Sequence, residues 1–345
     1  MDFSNSLLSW YLQNKRDLPW RNTVNPYPIW LSEIMLQQTK VAQGLPYFFT
    51  FIEAFPTILD LAKADEEQVL KLWQGLGYYS RARNMHKTAQ IIAFELKGNF
   101  PNNYNDLIKL KGVGEYTAAA IASFAFNEVV PVVDGNVFRV LSRYLDIETD
   151  IASASAKKEF SALAKELMPE NNPALFNQAI MEFGALQCVP KNPDCTNCIF
   201  NTSCAALQKK KVTELPVKLK KTRVTNRYFN YLVFLDNLNK TIINKRTEKG
   251  IWHNLYEFPV IEAEEELDFE TISEAISEKY IDFSIDSIVV YNPEQIIHKL
   301  SHQKLHINFY RVAVTEEILE GVSLDILKNY PFPIVIYNFI EKYSI

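Results

Sequence analysis

With 345 residues, 48% of them hydrophobic and 22% charged, the chain has the composition of a folded protein with room for about two domains. No run approaches the roughly 18 apolar residues of a membrane helix. The N-terminus, MDFSNSLLSWYLQNKRD, lacks the cationic and long apolar regions of an export signal, so the expectation is a cytoplasmic protein with no membrane partner. The net charge of −5 argues against a polyanionic partner only until it is divided. Residues 1–223 carry 25 basic and 22 acidic residues and residues 224–345 carry 11 and 19, which confines the acidity to the C-terminal third.

From Phe3 to about Ala206 the apolar residues recur at helical spacing, as in Ile58, Leu61, Val69, Leu72 and Trp73, with Pro56 and Pro101 as breakers. Near its start, Leu18-Pro19-Trp20-Arg21 is followed by Trp30-Leu31-Ser32-Glu33-Ile34-Met35-Leu36-Gln37-Gln38-Thr39-Lys40-Val41. Spacing alone makes Glu33 a solvent-facing residue of an amphipathic helix. Its apolar neighbours, if they enclose it, would raise its pKa and make it a candidate acid. Gly75-Leu76-Gly77-Tyr78-Tyr79-Ser80-Arg81-Ala82-Arg83-Asn84 comes next, and then Leu110-Lys111-Gly112-Val113-Gly114-Glu115-Tyr116-Thr117 before a helix rich in small residues. Gly112 and Gly114 permit a tight turn whose amides, with the following helix N-terminus, can grip a phosphate; an ordinary interhelix turn fits the same residues. In Pro131-Val132-Val133-Asp134-Gly135-Asn136-Val137, Asp134 falls at a helix start. N-capping there is compatible with catalysis, because a cap stabilises an ionised carboxylate.

All four cysteines of the chain fall within seventeen residues, as Cys188-x6-Cys195-x2-Cys198-x5-Cys204. Four thiolates hold zinc or an iron–sulfur cluster. One C-x2-C pair flanked by singletons favours the cluster over the two distant pairs typical of zinc, and a disulfide framework is disfavoured in a large chain without an export signal. Lys191 in this loop is either a phosphate contact or a solvated lysine. Residues 207–226 read as an interdomain linker, with seven basic residues and one acid between Lys209 and Arg223; they connect the halves or touch DNA phosphates. Beyond it the pattern becomes β-rich: Tyr228–Leu235, Thr241–Lys245, Leu255–Ile261, Ser287–Tyr291 and Ile307–Val314, with amphipathic helices near Phe269–Tyr280 and Pro333–Tyr343. The expected architecture is multidomain, an all-α region over 1–206 followed by an α+β domain over 227–345.

The order of these motifs, a helix-hairpin-helix at about 107–126, an aspartate about twenty residues on, then a cysteine loop at 188–204, resembles the endonuclease III and MutY superfamily of DNA glycosylases. The segments at 18–21, 30–41 and 75–84 are similar to those of the MutY-type adenine glycosylases, and the likeness covers nearly the whole chain. That resemblance implies a [4Fe-4S] cluster on Cys188, Cys195, Cys198 and Cys204. It also implies a monofunctional enzyme that flips and excises adenine opposite 8-oxoguanine or guanine in double-stranded DNA, acting as a monomer in base excision repair. Glu33 would protonate adenine at N7 and later handle the water, and Asp134 would stabilise the cationic sugar, with Tyr116 and Asn136 in support. Tyr116 stands where the bifunctional relatives carry a Schiff-base lysine. Arg21, Leu36, Gln38, Thr39, Val41, Leu76, Gly112 and Gly114 would contact DNA, with Tyr78 as a wedge; Tyr78 as one more buried aromatic is the plain alternative.

The C-terminal half resembles the Nudix-like domain of the same family. No Arg-Glu-x-x-Glu-Glu helix follows Gly250, so pyrophosphatase activity is not expected. In His298-Lys299-Leu300-Ser301-His302, Ser301 and His302 match the residues that recognise 8-oxoguanine, although Leu300 replaces the more usual phenylalanine. His298, His302 and His306 have no cysteine or carboxylate partner that would make them a metal site. The competing readings are a thymine-glycol or mismatch thymine glycosylase of the same superfamily, and a catalytically silent DNA-binding module.

Overall fold

The computed structural model describes residues 2–219 and 224–343; residues 220–223 of the expected linker lie outside the described residues. The chain divides into two compact units, Met1–Lys63 with Asn84–Lys220, and Ala64–Arg83 with Lys221–Ile345.

The first unit is helical: α1 (Phe3–Asn14), α2 (Pro26–Met35), α3 (Val41–Ala54), α4 (Ile58–Lys63), then, after the excursion described below that includes α5 (Glu66–Leu72), most of α6 (Ser80–Gln90), α7 (Tyr104–Leu107), α8 (Glu115–Phe126), α9 (Gly135–Leu145), α10 (Ala154–Leu167), α11 (Pro173–Leu186) and α12 (Ala205–Gln208). Its main core joins α1, α9, α10 and α11 through Leu7, Tyr11, Leu141, Phe160, Phe176 and Phe183, with Phe200 of the cysteine loop packed in. α2 packs against α8, whose run Thr117–Ser123 is buried and made mostly of alanine, and α2 is itself buried from Ile29 to Met35.

The second unit is built on a five-stranded sheet of β1 (Thr225–Leu235), β5 (Val260–Ala263), β6 (Ile285–Val290), β7 (Ile296–Lys299) and β8 (Gln303–Val314), in the order β5-β1-β8-β6 with β7 also on β8. The central β1 and β8 run parallel, with Thr225 opposite Gln303 through to Leu235 opposite Ala313. Alternation sends Leu232, Phe234, Tyr310 and Val312 to one face, where α13 (Phe269–Lys279) covers them with Ile272 and Ile276. On the other face Tyr231 stacks on Phe309 and Phe309 on Phe339 of α14 (Ile334–Tyr343).

Two expected strands differ in detail. The run 241–245 is split into β2 (Lys240–Thr241) and β3 (Asn244–Lys245), and 255–261 into β4 (Tyr256–Glu257) and β5, because Pro259 has no amide to continue a ladder. The strand β7 and the short β9 (Val322–Ser323), neither among the expected runs, complete the set. The larger difference concerns residues 64–83. Their helical spacing is that of the N-terminal half, but they group with the sheet domain and several of their side chains bond to it. Glu67 accepts bonds from Lys245 Nζ and the Tyr256 hydroxyl, both at 2.8 Å. Gln74 Nε2 donates to Phe332 O at 2.9 Å, Arg83 Nη1 donates to His253 O at 2.7 Å, and the Lys71 ammonium sits 4.5 Å from the Tyr337 ring.

Candidate active site

The first unit carries a cleft of about 840 Å³ lined by Glu33, Leu36, Gln38, Tyr116, Asp134 and Lys157 among others. Three elements bring its polar groups together. Asn25 caps α2 by accepting from the Tyr27 amide, with Pro26 at the first position, and α2 delivers Glu33 from a face that is otherwise apolar. Glu33 is 7% exposed, so it is not the solvent-facing residue that spacing alone suggests. The Tyr116 hydroxyl, from the first turn of α8, donates to Glu33 Oε2 at 2.7 Å. Burial raises the Glu33 pKa to about 7, against the pull of the Tyr116 bond and the distant Arg21 charge and with a push from Asp134.

Asp134 is the N-cap of α9: its Oδ1 accepts from the amides of Asn136 and Val137, both at 2.8 Å, and its Oδ2 from Asn136 Nδ2 at 2.7 Å. Burial pushes its pKa up in spite of these donors. Asn136 is itself held by Arg139 Nη2 at 2.9 Å, and Arg139 Nε donates to Cys188 O at 2.7 Å. Gly184 permits this arrangement, since a Cβ there would stand 2.7 Å from that of Asn136. The Tyr116 phenol, buried beside both carboxylates, is pushed well above its ordinary pKa and therefore remains a donor.

In the hairpin only Gly112 needs to be glycine for its conformation. Its φ is +75°, and a Cβ would meet the Asn84 side chain at 2.7 Å. Gly114 is the N-cap of α8 with open space beside it. Leu36 caps the end of α2 and lines the cleft, and Thr39 and Val41 are half-buried nearby in sequence. Gln38 is exposed and held at φ +61°, a left-handed conformation that costs a non-glycine residue about 1–2 kcal/mol.

The second unit holds the remaining predicted contacts. Leu76 is buried there, while Tyr78 is 48% exposed, at φ +49°, with its hydroxyl hydrogen-bonded to Ser301 Oγ. Tyr78 is thus not a core aromatic. Arg81 supports its turn, donating to the carbonyls of Leu76 at 3.2 Å and Gly77 at 3.1 Å. Ser301 and His302 are both exposed, in the turn between β7 and β8.

Arg21 does not stand free. With Arg16 it is bound to Glu182 of α11, whose carboxylate accepts from Arg21 Nη2 at 2.8 Å and from Arg16 Nη2 at 2.6 Å. Burial alone would raise the Glu182 pKa, but the two guanidinium groups hold it down to about 2. Glu182 escaped the sequence reading. The signal was an acid on the face of α11 that buries Phe176, Ala179, Ile180 and Phe183.

Cys188, Cys195, Cys198 and Cys204 line one pocket together with Val140, Tyr144, Phe183 and Phe200. Arg143 Nη1 lies 3.5 Å from Cys188 Sγ and the Phe200 amide 3.4 Å from Cys198 Sγ. Burial pushes the Cys198 thiol up to about 11, so that bare thiol holds its proton, and a group binding it as a thiolate would displace the proton.

Residues 31–170 match the HhH-GPD superfamily of base excision DNA repair proteins, and residues 230–342 match the NUDIX domain. An adenine DNA glycosylase of Buchnera aphidicola (subsp. Schizaphis graminum) is 38% identical over 307 residues, 88% of this chain and 86% of that protein. The chain belongs to the adenine DNA glycosylase family. It is therefore a base excision repair enzyme of the hydrolase class. The human adenine DNA glycosylase is 45% identical over 216 residues, 60% of this chain and 40% of its own length. Among solved structures, a thermostable thymine-DNA glycosylase is 28% identical with a TM-score of 0.55, covering 60% of this chain and 95% of its own. Among the described residues no helix is long and apolar enough to cross a membrane.

The raised pKa of Glu33 has a thermodynamic signature. The folded state binds its proton more tightly than the unfolded chain does. This contribution to stability is therefore present below the ordinary carboxylate pKa and is lost as pH rises to about 7. Glu33→Gln should leave stability unchanged in acid and raise it by up to about 3 kcal/mol above pH 7. Denaturant titrations at the two pH values check this; an equal effect at both would mean Glu33 is ionised in the fold.

Proposed function

We propose that this member of the family removes adenine mispaired with 8-oxoguanine or guanine from double-stranded DNA, as a monofunctional glycosylase. The observation that carries the reading is the pairing in one cleft of a carboxyl protonated near neutral pH, Glu33, with a capped carboxylate, Asp134. Adenine leaves poorly as an anion. A proton from Glu33 to N7 lets the C1′–N9 bond break with its electron pair going to a neutral base, while the charge of Asp134 stabilises the oxocarbenium-like sugar. Water then adds to C1′ and returns a proton to Glu33. Tyr116 holds Glu33 by a hydrogen bond and offers no amine for a Schiff base.

The left-handed backbone at Gln38 and at Tyr78 supports a role in entering the duplex, since strain of this kind collects at functional positions. The exposed Ser301 and His302 support recognition of the 8-oxoguanine left behind. The four cysteines suit a [4Fe-4S] cluster: all four face one largely apolar pocket, and Arg143 is placed to offset the thiolate charge. Bound there, the cluster would tie the loop 188–204 to α9 and supply no atom to the hydrolysis. No observation favours oligomerisation, and the enzyme is expected to act as a monomer.

Single-turnover assays on duplexes with adenine opposite 8-oxoguanine, beside the same duplex with thymine in place of adenine, test the reading. Adenine alone should be released, at a rate that falls as pH rises through about 7, and Glu33→Gln should lower that rate by at least about a hundredfold. Release of thymine, or of nothing, would refute it. Ser301→Ala should leave excision opposite guanine unchanged and reduce the preference for 8-oxoguanine; an unaltered preference removes Ser301 from recognition. Purified protein should be brown with four irons per chain, and Cys198→Ser should lose the colour and the loop's protection from proteolysis. A colourless, zinc-loaded wild type would replace the cluster with a zinc site.

A further inference from the structure

Glu115 and Lys157 form an ion pair inside the reaction cleft: the first residue of α8, directly after the Gly112–Gly114 turn, reaches a lysine in the first turns of α10. Both side chains remain about half exposed, at 52% for Glu115 and 50% for Lys157, so the pair stands on the wall and is not part of the core. Charge on the cleft wall is lopsided. Among the described lining residues Glu33, Glu115 and Asp134 are acidic and Lys157 is the single cation. Arg21, whose charge acts on Glu33, is already committed to Glu182.

Resting on the reading above, the substrate that enters this cleft is a nucleotide flanked by two phosphates. Its flipped sugar has to bring at least one of them past the hairpin. We infer that Lys157 contacts a phosphate beside the extruded nucleotide and that Glu115 occupies that position in the free enzyme as a carboxylate stand-in, released when DNA binds. The exchange is inexpensive, because an exposed ion pair is worth little, whereas a phosphate contact also releases condensed counterions. Glu115 at the start of α8 enjoys the helix dipole, which gives it somewhere favourable to rest once Lys157 has left it. The pair would thereby screen the hairpin against weak anions and yield to a polyanion.

The test is equilibrium binding of the full chain to a fluorescent duplex bearing adenine opposite 8-oxoguanine, in a Glu33→Gln background that prevents turnover, across a series of salt concentrations. Lys157→Gln should weaken binding about fivefold and flatten the slope of log affinity against log salt by about 0.9, the share of one phosphate. Glu115→Gln should tighten binding by up to about fivefold, but only while Lys157 is present. Unchanged affinity and slope in Lys157→Gln overturns the inference. So does an equal gain from Glu115→Gln in both backgrounds, which would mean plain repulsion between Glu115 and DNA. Adenine release by the unsubstituted enzyme is assayed in parallel: its absence would fault the glycosylase reading, while its presence with an unchanged salt slope in Lys157→Gln would fault only the role of Lys157.

Discussion

The burial of Glu33 is the constraint on which the rest of the candidate site depends. A carboxyl side chain carried into the α2–α8 contact loses its water, and the nearest replacement is one phenol at 2.7 Å. Everything around it serves that condition. The packing of α2 against α8 buries the carboxyl, and the first turn of α8 brings the Tyr116 hydroxyl to it. The second carboxylate, Asp134, is supplied with three donors, which oppose the rise that burial imposes on its pKa. The two environments differ in kind: Glu33 has lost solvent with little in return, whereas Asp134 has exchanged solvent for amide donors.

The arginines show how the site and its framework are joined. Arg139 connects the carbonyl of Cys188 to the Asn136–Asp134 pair, and Arg143 spans from Cys188 Sγ to the carbonyls of Val189 and Leu215. Order in the cysteine loop is thereby mechanically connected to the orientation of Asp134. Glu182 likewise anchors Arg16 and Arg21, and so the chain between α1 and α2. A buried carboxylate shared by two guanidinium groups is costly to break from either side, because it leaves an unpaired charge behind.

Residues 64–83 give the sheet domain a different composition from the one its sequence suggests. The segment carries the exposed Tyr78, hydrogen-bonded to Ser301, and begins with α5, whose acids Glu66 and Glu67 meet Asn254, Lys245 and Tyr256. The two motifs that the resemblance assigns to reading the opposite base, far apart in sequence, therefore belong to one compact unit and one hydrogen bond joins them.

The sequence by itself determined what neighbouring residues decide among themselves: the helical and β-rich halves, the glycine turn before α8, Asp134 as a helix cap, the clustering of four cysteines. Each of these depends on φ preferences, capping, periodicity or spacing along a short stretch of chain, so a local pattern is enough to express it. Only the tertiary structure decided what depends on desolvation and distant partners. Glu33 and Tyr116 lie 83 positions apart, Arg21 and Glu182 161, and Glu66 and Asn254 188. The raised pKa of Glu33, the commitment of Arg21, and the membership of 64–83 in the sheet domain all follow from such pairs. A carboxylate on an amphipathic helix reads the same in sequence whether water or another helix covers it, and the free energy of that difference is set by what packs against it.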